Sequence, residues 1–177
     1  MKAVDWKGLT LGEFAEIISK ALSAQGINAV LVGGACVSLY SRNKYESLDL
    51  DYVSPASTER IDSVLGGLGF SRKDNLRQYK RPGTRYYIEF PPGPISIGEE
   101  GPITRFDRLG SIVLLRPTDC VKDRLAAYFH WNDEQSLKQA LLVAKSQKIN
   151  LDEIRKWSVR EKRQDKFRVF ESLLTVK

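Results

Sequence analysis

Apolar positions first recur at helical spacing in GEFAEIISKALSAQG. Phe14, Ile17, Ile18 and Leu22 fall on one stripe, Thr10 and Glu13 are spaced as a capping box, and Gly26 follows as a stop, which predicts an amphipathic helix. NAVLV is a short continuous apolar run closed by Gly33-Gly34, as expected of a strand buried on both faces. ACVSLYS reads as a short helix, LDLDYV alternates as a strand does, and STERIDSVLGGLG reads as a helix ending in glycines. FSRKD, LRQYKR and TRYYIEF are three strand candidates separated by turn residues, giving the order αβαβαβββ. PPGPISIGEEGP is a loop, and SIVLLR is one more strand, stopped by Pro117. From Thr118 onward the pattern is helical: one helix over 118–130, then helices opened by capping boxes at Asn132 to Gln135, Asn150 to Glu153 and Ser158 to Glu161.

The pattern therefore divides the chain into an α/β core over 1–116 and a helical C-terminal segment over 117–177 packed on it. A length of 177 residues, 42% hydrophobic and 28% charged, fits one globular domain. No apolar run reaches the roughly 18 to 20 residues of a membrane span, and MKAVDWKGLTLGEF lacks the apolar stretch of a signal peptide, so no membrane partner and a cytoplasmic location are expected. Cys36 and Cys120 form no closely spaced ligand pair and read as small buried apolar residues. His130 is the only histidine, so histidine-rich metal sites are excluded and any metal must be held by carboxylates. The formal charge of +6 favours a polyanionic partner or a nucleotide.

The candidate chemistry lies in LVGGACVSLYSRNKYESLDLDYVS. On a strand, Asp49 and Asp51 point one way and Leu48, Leu50 and Tyr52 the other. Carboxylates about 7 Å apart repel, and a divalent cation shared with phosphate oxygens resolves that repulsion; a sheet face open to water is the other explanation. Gly33 and Gly34 end a buried strand and open a helix, where backbone N–H groups can meet a phosphate, although a tight turn needs the same glycines. Ser38 and Ser41 lie further along that helix as hydroxyl donors.

A strand, a Gly-Gly turn, a helix and a second strand bearing Asp-x-Asp resemble the polymerase-beta-like nucleotidyltransferase superfamily. The spacing is nearest the branch of AbiEii-like toxins and small nucleotidyltransferases, where an arginine precedes Asp-x-Asp as Arg42 does here. The resemblance implies a mixed sheet flanked by helices and a third carboxylate on a neighbouring strand. RYYIEF offers Glu89, a Glu where Asp is usual, and an exposed strand residue is its alternative reading. LLRPTDCVKDRLAAYFHWNDEQSLKQAL looks like the family's helical segment, which puts Lys122 at the phosphates and Asp133 beside the substrate. Asp123 and Arg124 compete with Lys122 by one step of alignment, and Asp133 can instead be a helix-start charge.

By that resemblance, Asp49, Asp51 and Glu89 are catalytic and hold Mg2+ or Mn2+. Gly33, Gly34, Ser38, Arg42, Lys122 and Asp133 bind a nucleoside triphosphate, and a nucleoside monophosphate passes to a hydroxyl acceptor. RKDNLRQYKRPGTRYY interleaves cations, with Arg77, Lys80, Arg81 and Arg85 as a nucleic-acid patch, and Tyr79, Tyr86 and Tyr87 as stacking surfaces for an RNA or tRNA acceptor. RKWSVREKRQDKFR adds a second basic run, and solvated faces explain both runs equally. A toxin–antitoxin pair with a cognate protein partner is a further implication. The alternative is a non-catalytic nucleotidyltransferase-type fold acting as a nucleotide- or RNA-binding, antitoxin-like module.

Overall fold

The structure, a computed structural model, describes residues 4–72 and 77–175. The first helix, α1 (Leu11–Ala24), opens with both halves of its capping box: Thr10 Oγ1 accepts from the Glu13 N–H, and Glu13 Oε2 accepts from the Thr10 N–H at 2.9 Å. Strand β1 (Val30–Val32), helix α2 (Gly33–Tyr40), strand β2 (Asp49–Val53) and helix α3 (Thr58–Gly67) follow. Next come the short strands β3 (Gln78–Tyr79) and β4 (Tyr87–Glu89) and the hairpin of β5 (Phe106–Leu109) and β6 (Ile112–Leu115). Four helices close the chain: α4 (Pro117–Trp131), α5 (Glu134–Ser146), α6 (Leu151–Arg160) and α7 (Gln164–Thr175).

The strands form one mixed sheet in the order β3-β4-β2-β1-β6-β5. β2 runs antiparallel to β1 and parallel to β4, and β6 runs parallel to β1. Registers place Leu31 against Tyr52 and Leu114, and Leu50 against Ile88, so these fully buried residues share one sheet face. Helix α1 packs there, with Tyr52 Oη bonded to the Ala15 carbonyl at 3.2 Å and to Ser19 Oγ at 3.0 Å. The opposite face carries the polar members of the same strands.

Several expected elements shift. The glycine pair lies inside α2 rather than ahead of it. Strand β5 has no expectation behind it, because three of its four residues are exposed and no alternation marks it. Of the strand expected over 70–74, Lys73 and Asp74 lie outside the described residues, and the rest makes only the Ser71–Lys80 bridge. Asp133, not Asn132, caps α5; Asn132 ends α4 in the left-handed region at φ 56°. Ser158 sits inside α6 with its hydroxyl on the Arg155 carbonyl, so the fourth capping box does not form. Asn150 caps α6 as expected. Among the described residues, no helix is long and apolar enough to cross a membrane.

Candidate active site

Because side chains alternate along a strand, the register that buries Leu50 turns Asp49 and Asp51 to the other face, both half-buried. Asp51 stands opposite Glu89 of β4 on one side and Val32 of β1 on the other, Asp49 stands opposite Tyr87, and Glu89 faces Gln78 of β3. Gln78, Glu89 and Asp51 therefore make one rung running in from the β3 edge, Tyr87 and Asp49 make the adjacent rung on the same face, and together they form a polar row.

The row ends against the Gly-Gly turn. Gly33 has φ +68°, and a Cβ placed there would stand 2.7 Å from Asp51 Oδ2; a Cβ at Gly34 would stand 2.9 Å from Ser47 Oγ. Both glycines thus let the backbone approach this polar row, and Gly33 also supplies a backbone conformation that other residues resist. Val32, the residue at the N-cap of α2, gives no side-chain hydrogen bond to the helix, so the first turn carries no side-chain cap.

Electrostatically, the corner is dominated by its carboxylates. Burial, followed by the charges of Asp49 and Glu89, pushes the Asp51 carboxyl up to about 7, with Arg124 as the opposing influence. Burial and the same three carboxylates also raise the Tyr87 phenol. Two of the carboxylates are held by their own donors, Asp49 by the Ser47 hydroxyl at 2.5 Å and Glu89 by Gln78 Nε2 at 2.8 Å. The expected convergence is accordingly partial. The three share a face and feel one another's charge, yet among the described residues no three acidic, histidine or cysteine side chains are already gathered around a point where a metal could sit. No family model, curated protein or solved structure matches the chain.

Helix α4 settles which of its charges faces the row. Two residues turn a helical side chain by about 200°, so Lys122 and Arg124 leave opposite sides of α4. Arg124 acts on the row through its charge, which opposes the rise of Asp51, while its guanidinium is forked on Asp123 Oδ2 at 2.6 and 3.0 Å. Lys122 points away into a buried ion-pair cluster with Glu100, Asp119 and Glu153. Lys122 is thus committed to that cluster, which departs from the phosphate-facing place that the resemblance implies for it, and of its two competitors in alignment Arg124 is the cation whose charge acts on Asp51.

Three further expectations change. Asp133 uses its carboxylate on the Gln135 and Ser136 N–H groups and the Ser136 hydroxyl, which, led by that hydroxyl, hold it below the ordinary aspartate range. It is a helix cap. Ser38 is fully buried; its hydroxyl donates to the Gly34 carbonyl at 3.2 Å and accepts from the Ser47 N–H at 2.9 Å, tying α2 to the approach of β2 rather than facing a phosphate. Arg42 is exposed in the left-handed region at φ 55°, just beyond the C-terminal end of α2 and so about 12 Å of helix from Gly33.

The basic hairpin is largely committed to the protein itself. Tyr79 and Tyr86 are buried and cannot serve as stacking surfaces. Arg85 pairs with Glu46 at 2.5 Å and lies over Tyr86. Arg81 lies 4.6 Å over the Trp6 ring and donates to the Leu68 and Pro82 carbonyls. Arg77 and Lys80 remain exposed, Lys80 over the Tyr87 ring at 5.6 Å. The second basic run is likewise engaged, with Arg155 on Asp152 and Glu171, and Lys166 on the Tyr128 and Phe129 carbonyls. This division is measurable. Arg81→Ala loses a cation–π contact and a carbonyl partner, so it should lower the unfolding free energy by about 1–2 kcal/mol, whereas Arg77→Ala should stay within about 0.5 kcal/mol of the parent in urea titrations.

Proposed function

We propose that this chain is a nucleotidyltransferase that moves a nucleoside monophosphate from a nucleoside triphosphate to a hydroxyl acceptor. The observation that carries the reading is the polar row itself: Asp49 and Asp51 on β2 and Glu89 in register on parallel β4, ending against Gly33 at the start of α2. Strand, Gly-Gly, helix and an Asp-x-Asp strand, with a third carboxylate on a neighbouring strand, is the arrangement that the resemblance to the polymerase-beta-like superfamily implies.

The donor set suits a hard cation, since all three groups are carboxylates, and burial followed by the charges of Asp49 and Glu89 already raises Asp51. A divalent ion, Mg2+ or Mn2+, held by Asp49, Asp51 and Glu89 would neutralise the row and the triphosphate together. The remaining work falls to the chain. The α2 backbone at Gly33 and Gly34 receives phosphate oxygens, and Arg124 offsets charge on them. As the alternative to serving as the ion's third ligand, Glu89 accepts the proton of the acceptor hydroxyl while that hydroxyl's oxygen bonds to the α-phosphorus and pyrophosphate leaves. Arg77 and Lys80, exposed on either side of β3, suit the phosphates of an RNA end such as that of a tRNA.

The experiment incubates the purified protein with Mg2+, each labelled nucleoside triphosphate in turn, and total RNA. Label should appear in RNA or protein with release of pyrophosphate, and Asp49→Asn should lower the rate at least about a hundredfold, some 2.7 kcal/mol of transition-state stabilisation. A second reading, a nucleotide-binding or RNA-binding module without transfer, is favoured by one observation: the absence, among the described residues, of a ready three-donor cluster. Nucleotide binding with no transfer under any of these conditions would select it.

A further inference from the structure

On the side of α4 turned away from the carboxylate row lies a cavity of about 320 Å³, within the size range of small-molecule sites. Its walls are the loop 100–105, Arg116, Asp119 and Lys122 at the start of α4, and Glu153 on α6. Lys122 is the unusual member, because its side chain is only 4% exposed and a buried ammonium needs a close partner. The helical carboxylates do not supply one. Asp119 is taken by Arg116 at 2.6 Å, and both Asp119 and Glu153 stand 3.6 to 3.7 Å from Lys122 Nζ, beyond hydrogen-bonding distance.

The close partner is Glu100, from the loop, at 2.5 Å, and the same carboxylate bonds to Arg160. Glu100 is an internal anion lodged between a lysine and an arginine, carried on a segment with Gly98 at φ +59° and Gly101 beside it. The corner is also rich in donors. Arg105 at the rim makes no ion pair among the described residues, and behind the lining the Trp157 ring centroid lies 5.9 Å from Lys122 Nζ. With Glu100 displaced, the lining cations Lys122, Arg105 and Arg116 would outnumber the lining carboxylates Asp119 and Glu153, and Arg160 would lose the bond to Glu100.

We propose that this cavity is a binding site for a small oxyanion, a carboxylate or a phosphate, which takes the place of the Glu100 carboxylate on Lys122 and Arg160. The site is separate from the carboxylate row, and its existence does not depend on the nucleotidyltransferase reading.

The test is isothermal titration calorimetry with inorganic phosphate and, separately, with glutarate, in EDTA and at ionic strength matched with chloride. Glu100→Gln keeps the side chain's size and removes the competing charge, so it should bind at least one of the two probes at least tenfold more tightly than the parent. Arg105→Ala, a surface change that leaves the fold intact, should weaken the same probe's binding to the parent at least threefold. Phosphate alone would identify a phosphorylated ligand and glutarate alone a carboxylate one. If Glu100→Gln does not fold, the parent and Arg105→Ala decide the matter by the same comparison. No heat of binding above the chloride control for either probe in the folded variants, or binding indifferent to both substitutions, would overturn the proposal and leave the cluster a structural ion-pair network.

Discussion

Asp51→Asn should raise the unfolding free energy of the metal-free protein at pH 8 by up to about 4 kcal/mol, because each unit by which a folded-state pKa departs from its unfolded value corresponds to about 1.4 kcal/mol. Burial and the charges of Asp49 and Glu89 push Asp51 up to about 7 from an ordinary value of 3.8. Between those two values the unfolded chain has released the proton and the folded chain has kept it, so the Asp51 contribution to stability is fully present below about pH 4 and is lost as pH rises through 7. Asparagine has no charge to lose, so the variant should lack that decline. Asp49→Asn removes one of the charges acting on Asp51 and should flatten the decline in part. Urea titrations at pH 5 and pH 8 in EDTA measure this directly. Parallel losses in parent and Asp51→Asn would show that the Asp51 carboxyl is not strained by its neighbours.

Gly33→Ala should destabilise by about 2–4 kcal/mol, from a left-handed backbone that costs a Cβ-bearing residue about 1–2 kcal/mol and from a steric conflict at the same atom. The added Cβ would stand 2.7 Å from Asp51 Oδ2, and a carboxylate moving away along the row meets Asp49 or Glu89. The two sources separate in a double-mutant cycle. In an Asp51→Ala background the conflict is gone and the backbone cost remains, so the two substitutions should couple by about 1 kcal/mol or more. Gly66→Ala is the control: nothing lies within 4 Å of its Cβ position in α3, and it should be neutral or stabilise by up to about 1 kcal/mol.

Legibility in the sequence followed physical locality. Helix α1 was readable in full, since its stripe, its capping box and its closing glycine are all contained in one stretch. The faces of β2 and β4 were readable too, because period-two alternation assigns Asp49, Asp51 and Glu89 to the side opposite Leu50 and Ile88 without knowledge of any partner. What the strands pair with is a long-range matter, and the register that sets Glu89 beside Asp51 appears only once β4 docks on β2. Roles on α4 and α5 depended on rotation and on competing bonds. A two-residue step exchanges Lys122 for Arg124 at the row, and Asp133 and Ser38 spend their oxygens on helix and loop backbone. The basic hairpin misled for a related reason: its alternation of Arg and Tyr describes a strand with one buried face, and Tyr79 and Tyr86 fill that face.

The central claim is that Asp49, Asp51 and Glu89 form the site of a divalent ion that serves a nucleoside triphosphate. Its most direct test follows Mn2+ by electron paramagnetic resonance as protein is added, with and without nucleoside triphosphate, for the parent and for the Asp49→Asn/Asp51→Asn double variant. The account predicts that the parent depletes the free Mn2+ signal and does so more strongly with nucleotide present, while the folded double variant leaves the signal of Mn2+ and Mn2+–nucleotide as it is without protein. Equal depletion by both proteins, or none by the parent at millimolar Mn2+ with nucleotide, would contradict it.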